Sequence, residues 1–336
     1  MKRLAAVGLV AIAVLAGSAL PAGAQGGSRP VITPGNAAQV TRLGVMDCET
    51  GQLPISVAFS PDGSQLAYGC SSGPVHLWDL NFNVELATIP ASHSLALAFN
   101  PDGSRLATGG YTGDPCCVIE VWNAATGELV NTLAGHSSEP RALAFSPDGT
   151  LLLSGGNDGS VRLWHAGFGR QLAVLHDGES EVRPVMFSPD STLAAAVSGG
   201  QLYVWNVTTT ELVNVYGPSS LQTAAFMPDG TLIGGWATLY QFSAGAERQV
   251  AILSDSMMNA PLFSGDVFNP ARSLMVGHFC DTQRDCRVML FDTATGQEVA
   301  RLYAHTESIG QFAFSPDGTR FASASFDGTV WLWGVR

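Results

Sequence analysis

Apolar residues alternate with small or polar ones in many short runs along the chain, each only a few residues long. Residues 55–59 (Ile-Ser-Val-Ala-Phe) and 141–145 (Arg-Ala-Leu-Ala-Phe) are examples, and after a short gap each is followed by a second run, at 65–68 and 151–154. A period of two over runs this short is typical of β-strands rather than helices. The pattern therefore predicts an all-β protein built from pairs of strands.

A four-residue phrase separates the two strands of each pair and occurs seven times. Its Pro presets φ, its Asp hydrogen-bonds to its own backbone and its Gly accepts a positive φ, so the phrase predicts a tight turn. Successive copies begin 40, 46, 42, 39, 42 and 46 residues apart, which is the length of a four-stranded propeller blade. The copies are Ser60-Pro61-Asp62-Gly63, Asn100-Pro101-Asp102-Gly103, Ser146-Pro147-Asp148-Gly149, Ser188-Pro189-Asp190-Ser191, Met227-Pro228-Asp229-Gly230, Asn269-Pro270-Ala271-Arg272 and Ser315-Pro316-Asp317-Gly318.

A third strand with an aromatic residue follows each pair, and Leu- and Val-rich segments such as 128–133 and 298–302 supply the fourth strand. We name the four strands a to d in chain order. Together they predict a seven-bladed β-propeller of four-stranded antiparallel blades. The strand c aromatics are Trp78, Trp122, Trp164, Trp205, Phe242, Phe291 and Trp333.

The dipeptide Trp78-Asp79, with near variants at Trp122-Asn123, Trp205-Asn206 and Phe291-Asp292, resembles the signature of the WD-repeat family, and the resemblance covers residues 38–336. It implies that an N-terminal strand completes the last blade. Residues 39–45 precede the first copy and are similar to the strand d segments. Pairing them with the last strand c would leave the ring without a free edge.

The N-terminus has the features of a secretory signal. Residues 1–24 combine the basic Lys2 and Arg3, an apolar stretch and a small-residue cleavage site at 22–24, while an uncleaved anchor is the alternative. We expect residues 25–37, rich in Gly, Pro and Ala, to be a flexible leader and residues 38–336 to be the propeller. The protein would then be exported to a periplasmic or extracellular compartment as a monomer, with no membrane span after cleavage.

The charge balance argues against a nucleic-acid partner and against Schiff-base chemistry. The net charge is −12, it becomes −14 once Lys2 and Arg3 are removed, and Lys2 is the only lysine. An acidic surface without lysine does not suit a nucleic-acid partner. Schiff-base chemistry requires a lysine amine, so the mature chain excludes it. Neither the histidines nor the scattered acids have metal-ligand spacing, and we predict no metal and no cofactor.

Two repeats each contain Ser, His and Asp, the residue types of a hydrolase triad. The WD-repeat resemblance implies a structural role instead, a hydrogen-bonded tetrad that ends on the indole N–H of strand c. A nucleophile also requires exposure and an oxyanion hole, so we favour structure over catalysis. The tetrads are His136, Ser154, Asp158 and Trp164, and His305, Ser323, Asp327 and Trp333.

The six cysteines predict disulfides, as expected for an exported chain. The turn phrase and the strand c aromatic are 22 residues apart in copies two and six, against 15 to 18 in the others, and these two copies carry Cys116, Cys117, Cys280 and Cys286. We expect Cys280 to pair with Cys286 across a hairpin. For the other four we favour Cys48 with Cys70 and Cys116 with Cys117, and a pair between Cys70 and Cys116 stays open.

The favoured function is a non-enzymatic platform that binds a protein or peptide on the face made by the d–a and b–c loops. An exported propeller enzyme or small-ligand binder that uses the central channel is the alternative. It would require charged or metal-binding residues at the inner strands, whereas residues 56–58, 96–98, 142–144 and 223–225 are small and apolar. The candidate contacts, chosen for aromatic and charged character, are Tyr111, Trp236, Phe279, Phe326, Glu139, Arg141, Glu181 and Arg183.

Overall fold

A computed structural model describes residues 29–49, 51–91, 94–111, 117–217, 221–235, 238–243, 246–253, 267–281 and 285–336. These residues form seven antiparallel sheets, and the innermost strands of neighbouring sheets pack side by side. The fold is the predicted seven-bladed β-propeller. The described residues contain no helix with the length and hydropathy of a membrane span.

Six strand groups follow one another along the chain as blades 1 to 6, and strand β1 (Val40–Asp47) precedes them. Blade 1 contains β2 (Pro54–Phe59), β3 (Gln65–Cys70), β4 (Val75–Asp79) and β5 (Val84–Ile89); blade 2 contains β6 (Ser94–Phe99), β7 (Arg105–Gly110), β8 (Ile119–Asn123) and β9 (Leu129–Leu133). Blade 3 contains β10 (Pro140–Phe145), β11 (Leu151–Gly156), β12 (Ser160–His165) and β13 (Arg170–Asp177); blade 4 contains β14 (Val182–Phe187), β15 (Leu193–Ser198), β16 (Gln201–Asn206) and β17 (Leu212–Tyr216). Blade 5 contains β18 (Thr223–Phe226), β19 (Leu232–Gly235), β20 (Thr238–Ser243) and β21 (Ala246–Ile252); blade 6 contains β22 (Leu274–Cys280), β23 (Cys286–Asp292) and β24 (Glu298–His305).

Blade 7 joins the two ends of the chain. Its strands are β25 (Ile309–Phe314), β26 (Arg320–Ser325) and β27 (Thr329–Val335), and β1 completes it as the outer strand. β1 pairs antiparallel with β27 from Val40 opposite Val335 to Asp47 opposite Thr329. The predicted closure by an N-terminal strand is thus confirmed, although β1 extends two residues beyond the predicted segment 39–45.

Blade 6 differs from the others in its inner strand. Its described sheet has three strands, and the place of strand a is taken by a single bridge between Phe268 and Met275. The long connection predicted for this blade is largely strand, because β22 and β23 have seven residues each and pair up to Cys280 opposite Cys286. The connecting loop is correspondingly short.

Most of the hydrophobic core lies between neighbouring blades. Gly155 on β11 illustrates how closely they approach, since a Cβ atom at this position would lie 2.5 Å from the side chain of Val182 on β14 of the next blade. Small residues on the inner strands allow this packing, and single methyl groups matter in interiors of such density.

The a–b turns have the geometry that the repeated phrase predicts. In the seventh copy, Ser315 Oγ donates to Asp317 at 2.6 Å, Asp317 accepts the backbone N–H of Thr319 at 2.9 Å, and Gly318 has a φ of 69°. A positive φ is easy only for glycine, which explains the fourth residue of the phrase.

The segment before β1 packs against the ring. We expected residues 25–37 to be a flexible leader, but in the described part, from residue 29 onwards, the side chains of Ile32 and Ala37 are fully buried. The backbone of Ile32 donates to Gly318 O at 2.8 Å and accepts from Asn269 Nδ2 at 3.4 Å. Burial of apolar side chains therefore holds this stretch against the a–b turns of blades 6 and 7.

Candidate functional site

The antiparallel order of each blade separates the connections into two faces. The b–c loops and the d–a loops emerge at one end, which we call the upper face, and the a–b and c–d turns emerge at the other, the lower face. The predicted tetrads run from the loops of the upper face into strands b and c, and the predicted binding residues that the structure describes lie in loops or strand ends on the upper side.

The blade 3 tetrad is a continuous hydrogen-bonded chain. His136 Nδ1 lies 3.0 Å from Asp158 Oδ2, His136 Nε2 lies 2.7 Å from Ser154 Oγ, and the Trp164 indole N–H donates to Ser154 Oγ at 2.8 Å. The chain connects the d–a loop, strand b, the b–c turn and strand c. It satisfies polar groups that would otherwise be buried without partners.

The blade 7 tetrad has the same geometry. His305 lies 2.8 Å from both Asp327 and Ser323, and the Trp333 indole N–H donates to Ser323 Oγ at 2.9 Å. Burial on its own raises the pKa of the Asp327 carboxyl, but hydrogen bonds and charge from His305 outweigh it, so the pKa is lowered to about 2. Both tetrad serines are fully buried, a poor position for a nucleophile.

Blade 1 has a different polar pair where the tetrad would be. Tyr68 stands at the serine position and stacks on His76, with ring centroids 4.8 Å apart, and His76 Nδ1 lies 2.6 Å from Glu85 Oε1. Nothing in the repeat pattern indicated the pair of His76 and Glu85, because neither residue occupies a tetrad position.

Four of the predicted binding residues lie in equivalent places on two neighbouring blades. Glu139 and Arg141 stand at the start of β10 in blade 3, and Glu181 and Arg183 at the start of β14 in blade 4. Arg183 forms an ion pair with Glu181, while Glu139 accepts hydrogen bonds from Ser138 Oγ at 2.8 Å and from Asn157 Nδ2 at 3.0 Å. We call these four residues the upper charge group.

The predicted aromatic contacts are distributed around the ring. Tyr111 follows β7 in blade 2 and is 47% exposed, whereas Phe279 and Phe326, in blades 6 and 7, are partly buried. Phe279 packs against the core that blades 5 to 7 share. Trp236 lies outside the described residues. The three described aromatics lie on blades 2, 6 and 7 and do not form one patch.

Two disulfides join pairs of cysteines that both lie in the described part of the chain, and both pairs match the favoured pairing. Cys280 and Cys286 have Cα atoms 4.0 Å apart at the end of the blade 6 hairpin. Cys48 and Cys70 are 6.1 Å apart at Cα, and this pairing excludes a bond between Cys70 and Cys116. Cys116 lies outside the described residues, so its predicted bond to Cys117 stays a prediction. The two pairs are compatible with an oxidising compartment.

The Cys48–Cys70 disulfide has a structural consequence that its sequence positions did not reveal. Cys48 follows β1, the outer strand of blade 7, whereas Cys70 ends β3 of blade 1. The bond therefore covalently joins the first blade to the last beside the non-covalent closure.

Replacing Cys48 and Cys70 together by Ser should destabilise the ring more than the same change at Cys280 and Cys286. Chain-entropy estimates give about 3 kcal/mol for a loop of the first size and about 2 kcal/mol for the second. Thermal unfolding of the two double variants measures the difference. Equal melting temperatures for both variants would contradict a role of the Cys48 bond in closure.

The central channel is a cavity of about 530 Å³ that the inner strands of the blades enclose. Its lining is mainly apolar, and its polar side chains among the described residues are Arg272 and Gln311, with no carboxylate or histidine. Gln311 Oε1 accepts the backbone N–H of Val57 at 2.6 Å. The converging acids or histidines that a channel enzyme would require are therefore absent from the described lining.

Arg272 is a channel residue that the sequence reasoning missed. It replaces the glycine of the turn phrase in copy six, and its guanidinium donates to Phe226 O at 3.1 Å and to Phe268 O at 3.3 Å. It thereby connects the inner strand of blade 5 with the bridge of blade 6. The sequence feature that could have indicated this role is the departure of copy six from Pro-Asp-Gly.

Comparison with known proteins agrees with the geometry of the repeats. Residues 127–165 and 296–334 match the family model for the WD domain, G-beta repeat. The chain contains WD repeats. The two matched segments are those that carry the complete tetrads, which is consistent with a structural role of the tetrad in a WD repeat.

Several curated relatives are similar to part of the chain. Guanine nucleotide-binding protein subunit beta-5b of Danio rerio is 32% identical over 97 residues, 29% of this chain and 23% of that protein. Subunit beta-2 of Caenorhabditis elegans is 30% identical over 116 residues, 34% of this chain and 30% of that protein. Eukaryotic translation initiation factor 3 subunit I of Emericella nidulans is 26% identical over 165 residues, 43% of this chain and 46% of that protein. The matched segments thus span between 23% and 46% of the length of these three relatives.

Proposed function

We propose that this protein is an exported, non-enzymatic scaffold that binds a protein partner on its upper face. The observation that carries the proposal is the upper charge group, which presents two Arg and two Glu side chains on adjacent blades beside the channel. Arginine is enriched at the energetically important positions of protein interfaces, and complementary charges fix the orientation of a partner.

The channel favours binding over catalysis. General acid–base and metal chemistry require carboxylates, histidines or other ligands within reach of a substrate. The described lining has an Arg and a Gln, and both side chains are already hydrogen-bonded to backbone groups. A channel enzyme has no acid, base or nucleophile there among the described residues.

Export is supported by the sequence of residues 1–24 and by the two disulfides. The relatives support a role in an assembly, since each of the three is named as a subunit. Which partner this chain would bind does not follow from those names.

Affinity capture with face-specific variants tests the proposal. We expect the full chain to retain a partner from extracts and culture fluid of its native cells, and Arg141→Ala and Tyr111→Ala to lower the recovery at least fivefold, because both side chains lie on the upper face. Phe82→Ala and Phe168→Ala are matched controls, since these aromatics are 79% and 77% exposed at c–d turns of the lower face. Loss of the partner in the controls but not in the upper-face variants would reverse the assignment of the face.

A further inference from the structure

Blades 3 and 4 carry an arginine at a position where other blades do not. Arg141 and Arg183 are each the second residue of the inner strand. The same position is Ile55 in β2, Leu95 in β6 and Gly310 in β25. The two arginines are therefore a specific feature of blades 3 and 4 and are not part of the repeated sequence pattern.

A β-bulge lies at both positions. The pairing of β10 with β11 shifts register between Pro140 and Ala142, and that of β14 with β15 shifts between Val182 and Val185. A bulge leaves the extra residue unpaired in the ladder and redirects its side chain. The residues that follow the arginines directly, Ala142 and Pro184, line the channel, so the arginines stand at its upper mouth.

Arg141 and Arg183 occupy equivalent positions on β10 and β14, the inner strands of adjacent blades, which pack against one another. Burial lowers the pKa of Arg141, the positive charge of Arg183 lowers it further, and Glu139 and Glu181 act in the opposite direction. The Glu139 carboxylate is directed to Ser138 and Asn157, and that of Glu181 to Arg183. An additional anion between two partly desolvated guanidinium groups gains more than it would in open solvent.

The channel below the mouth contains no competing negative charge in its described lining. Apolar residues such as Leu97, Leu143 and Val185 form its upper wall, and its charged side chain, Arg272, is positive. This stands in contrast to the net charge of −12 of the whole chain. The mouth and channel thus combine positive charge with an apolar surface.

We propose that the mouth between blades 3 and 4 binds an acidic and apolar segment of a protein partner, with a carboxylate between Arg141 and Arg183 and a neighbouring apolar side chain in the channel. The proposal rests on the proposed function, and it adds the chemistry of the partner. A protein segment fits better than a small carboxylate because the channel runs from Pro184 at the upper end to Pro147 and Pro189 at the lower turns. Small-ligand sites usually enclose most of the ligand surface, whereas this cavity extends along the inner strands from one end to the other.

Fluorescence anisotropy with two short labelled peptides tests the proposal on the full chain. One peptide alternates Leu with Asp, and the other alternates Leu with Lys. We expect the Asp peptide to bind, and Arg141→Gln and Arg183→Gln each to weaken its affinity about tenfold, since each removes one charge-assisted contact. The Lys peptide should bind more weakly than the Asp peptide.

Arg170→Gln is the matched control, because it removes the same charge from an exposed position on β13, an outer strand. It should bind the Asp peptide like the wild type, and melting curves of all three variants verify that they fold. No binding of the Asp peptide, wild-type affinity for it in both mouth variants, or tighter binding of the Lys peptide would overturn the proposal. If hexanoate displaced the Asp peptide fully at concentrations similar to those at which the peptide binds, the site would be assigned to a small carboxylate instead.

The peptide result and the capture result are separable. If the Asp peptide fails to bind while capture still depends on Arg141 and Tyr111, the upper face remains the docking face. The proposed contact between a partner carboxylate and the two arginines is then wrong. If the peptide binds but capture is insensitive to upper-face variants, the site exists and the scaffold proposal fails.

Discussion

Deleting residues 38–46 should lower the melting temperature of the entire ring by about 10 °C or more, rather than loosen one edge. The deletion removes the outer strand of blade 7, whose side chains Val40 and Met46 are almost fully buried and whose Leu43 is partly buried. Three such side chains contribute on the order of 5 kcal/mol, and in a chain of this size one kcal/mol corresponds to roughly 2–4 °C.

The expected loss is global because β1 contacts the last strand while its chain continues into the first blade. Without it, β27 presents an unpaired edge, and blades 7 and 1 keep the packing of β2 against β25 and β26. A propeller has no terminal cap, so an opened ring exposes core on both sides of the gap.

Two point variants separate burial from the mere presence of a strand. Met46→Asp places a charge at a position that is 5% exposed, whereas Val45→Asp does so at the adjacent position, which is 43% exposed. We expect Met46→Asp to melt well below the wild type and Val45→Asp to stay close to it, both by circular dichroism. A deletion variant that melts at the wild-type temperature would show that β1 does not close the ring.

The blades were predictable because local chemistry defines them. Each Pro-Asp-Gly phrase specifies a turn through its own φ preferences and side-chain hydrogen bonds, and the flanking period of two specifies the strands. The tetrad residues could likewise be placed, because the family resemblance gave the order of donors and acceptors from His136 to Trp164.

What the sequence left open depends on contacts between distant parts of the chain. Ile32 is one apolar residue in a segment rich in Pro and Gly and has no periodic partner, so nothing local predicted its burial against the turns of blades 6 and 7. The closeness of Arg141 and Arg183 requires that two blades be adjacent and that both inner strands carry a bulge. The guanidinium of Arg272 reaches blade 5 from blade 6, which no pattern within one repeat reveals.

Replacing Asp327 by Asn should destabilise the protein at neutral pH and flatten its stability profile in acid. The folded pKa of Asp327 is about 2, and the unfolded value is about 3.9. Because the folded value is the lower one, the carboxylate stabilises the fold at all pH values above about 4, and this contribution disappears as the pH falls towards about 2. This difference between the folded and unfolded pKa corresponds to about 2 to 3 kcal/mol.

Urea unfolding at a series of pH values measures the effect as the difference in unfolding free energy between wild type and Asp327→Asn. We expect this difference to be largest from about pH 5 upwards and to shrink by about 2 kcal/mol as the pH falls to about 2. Glu247→Gln removes the same charge from an exposed position on β21 and should follow the wild-type profile. Asp158→Asn should behave like Asp327→Asn, since hydrogen bonds and charge from His136 also hold the pKa of Asp158 low against its burial. A constant difference across this pH range would mean that the ionised carboxylate is not what the tetrad contributes, and that only the shape of its hydrogen-bonded chain matters.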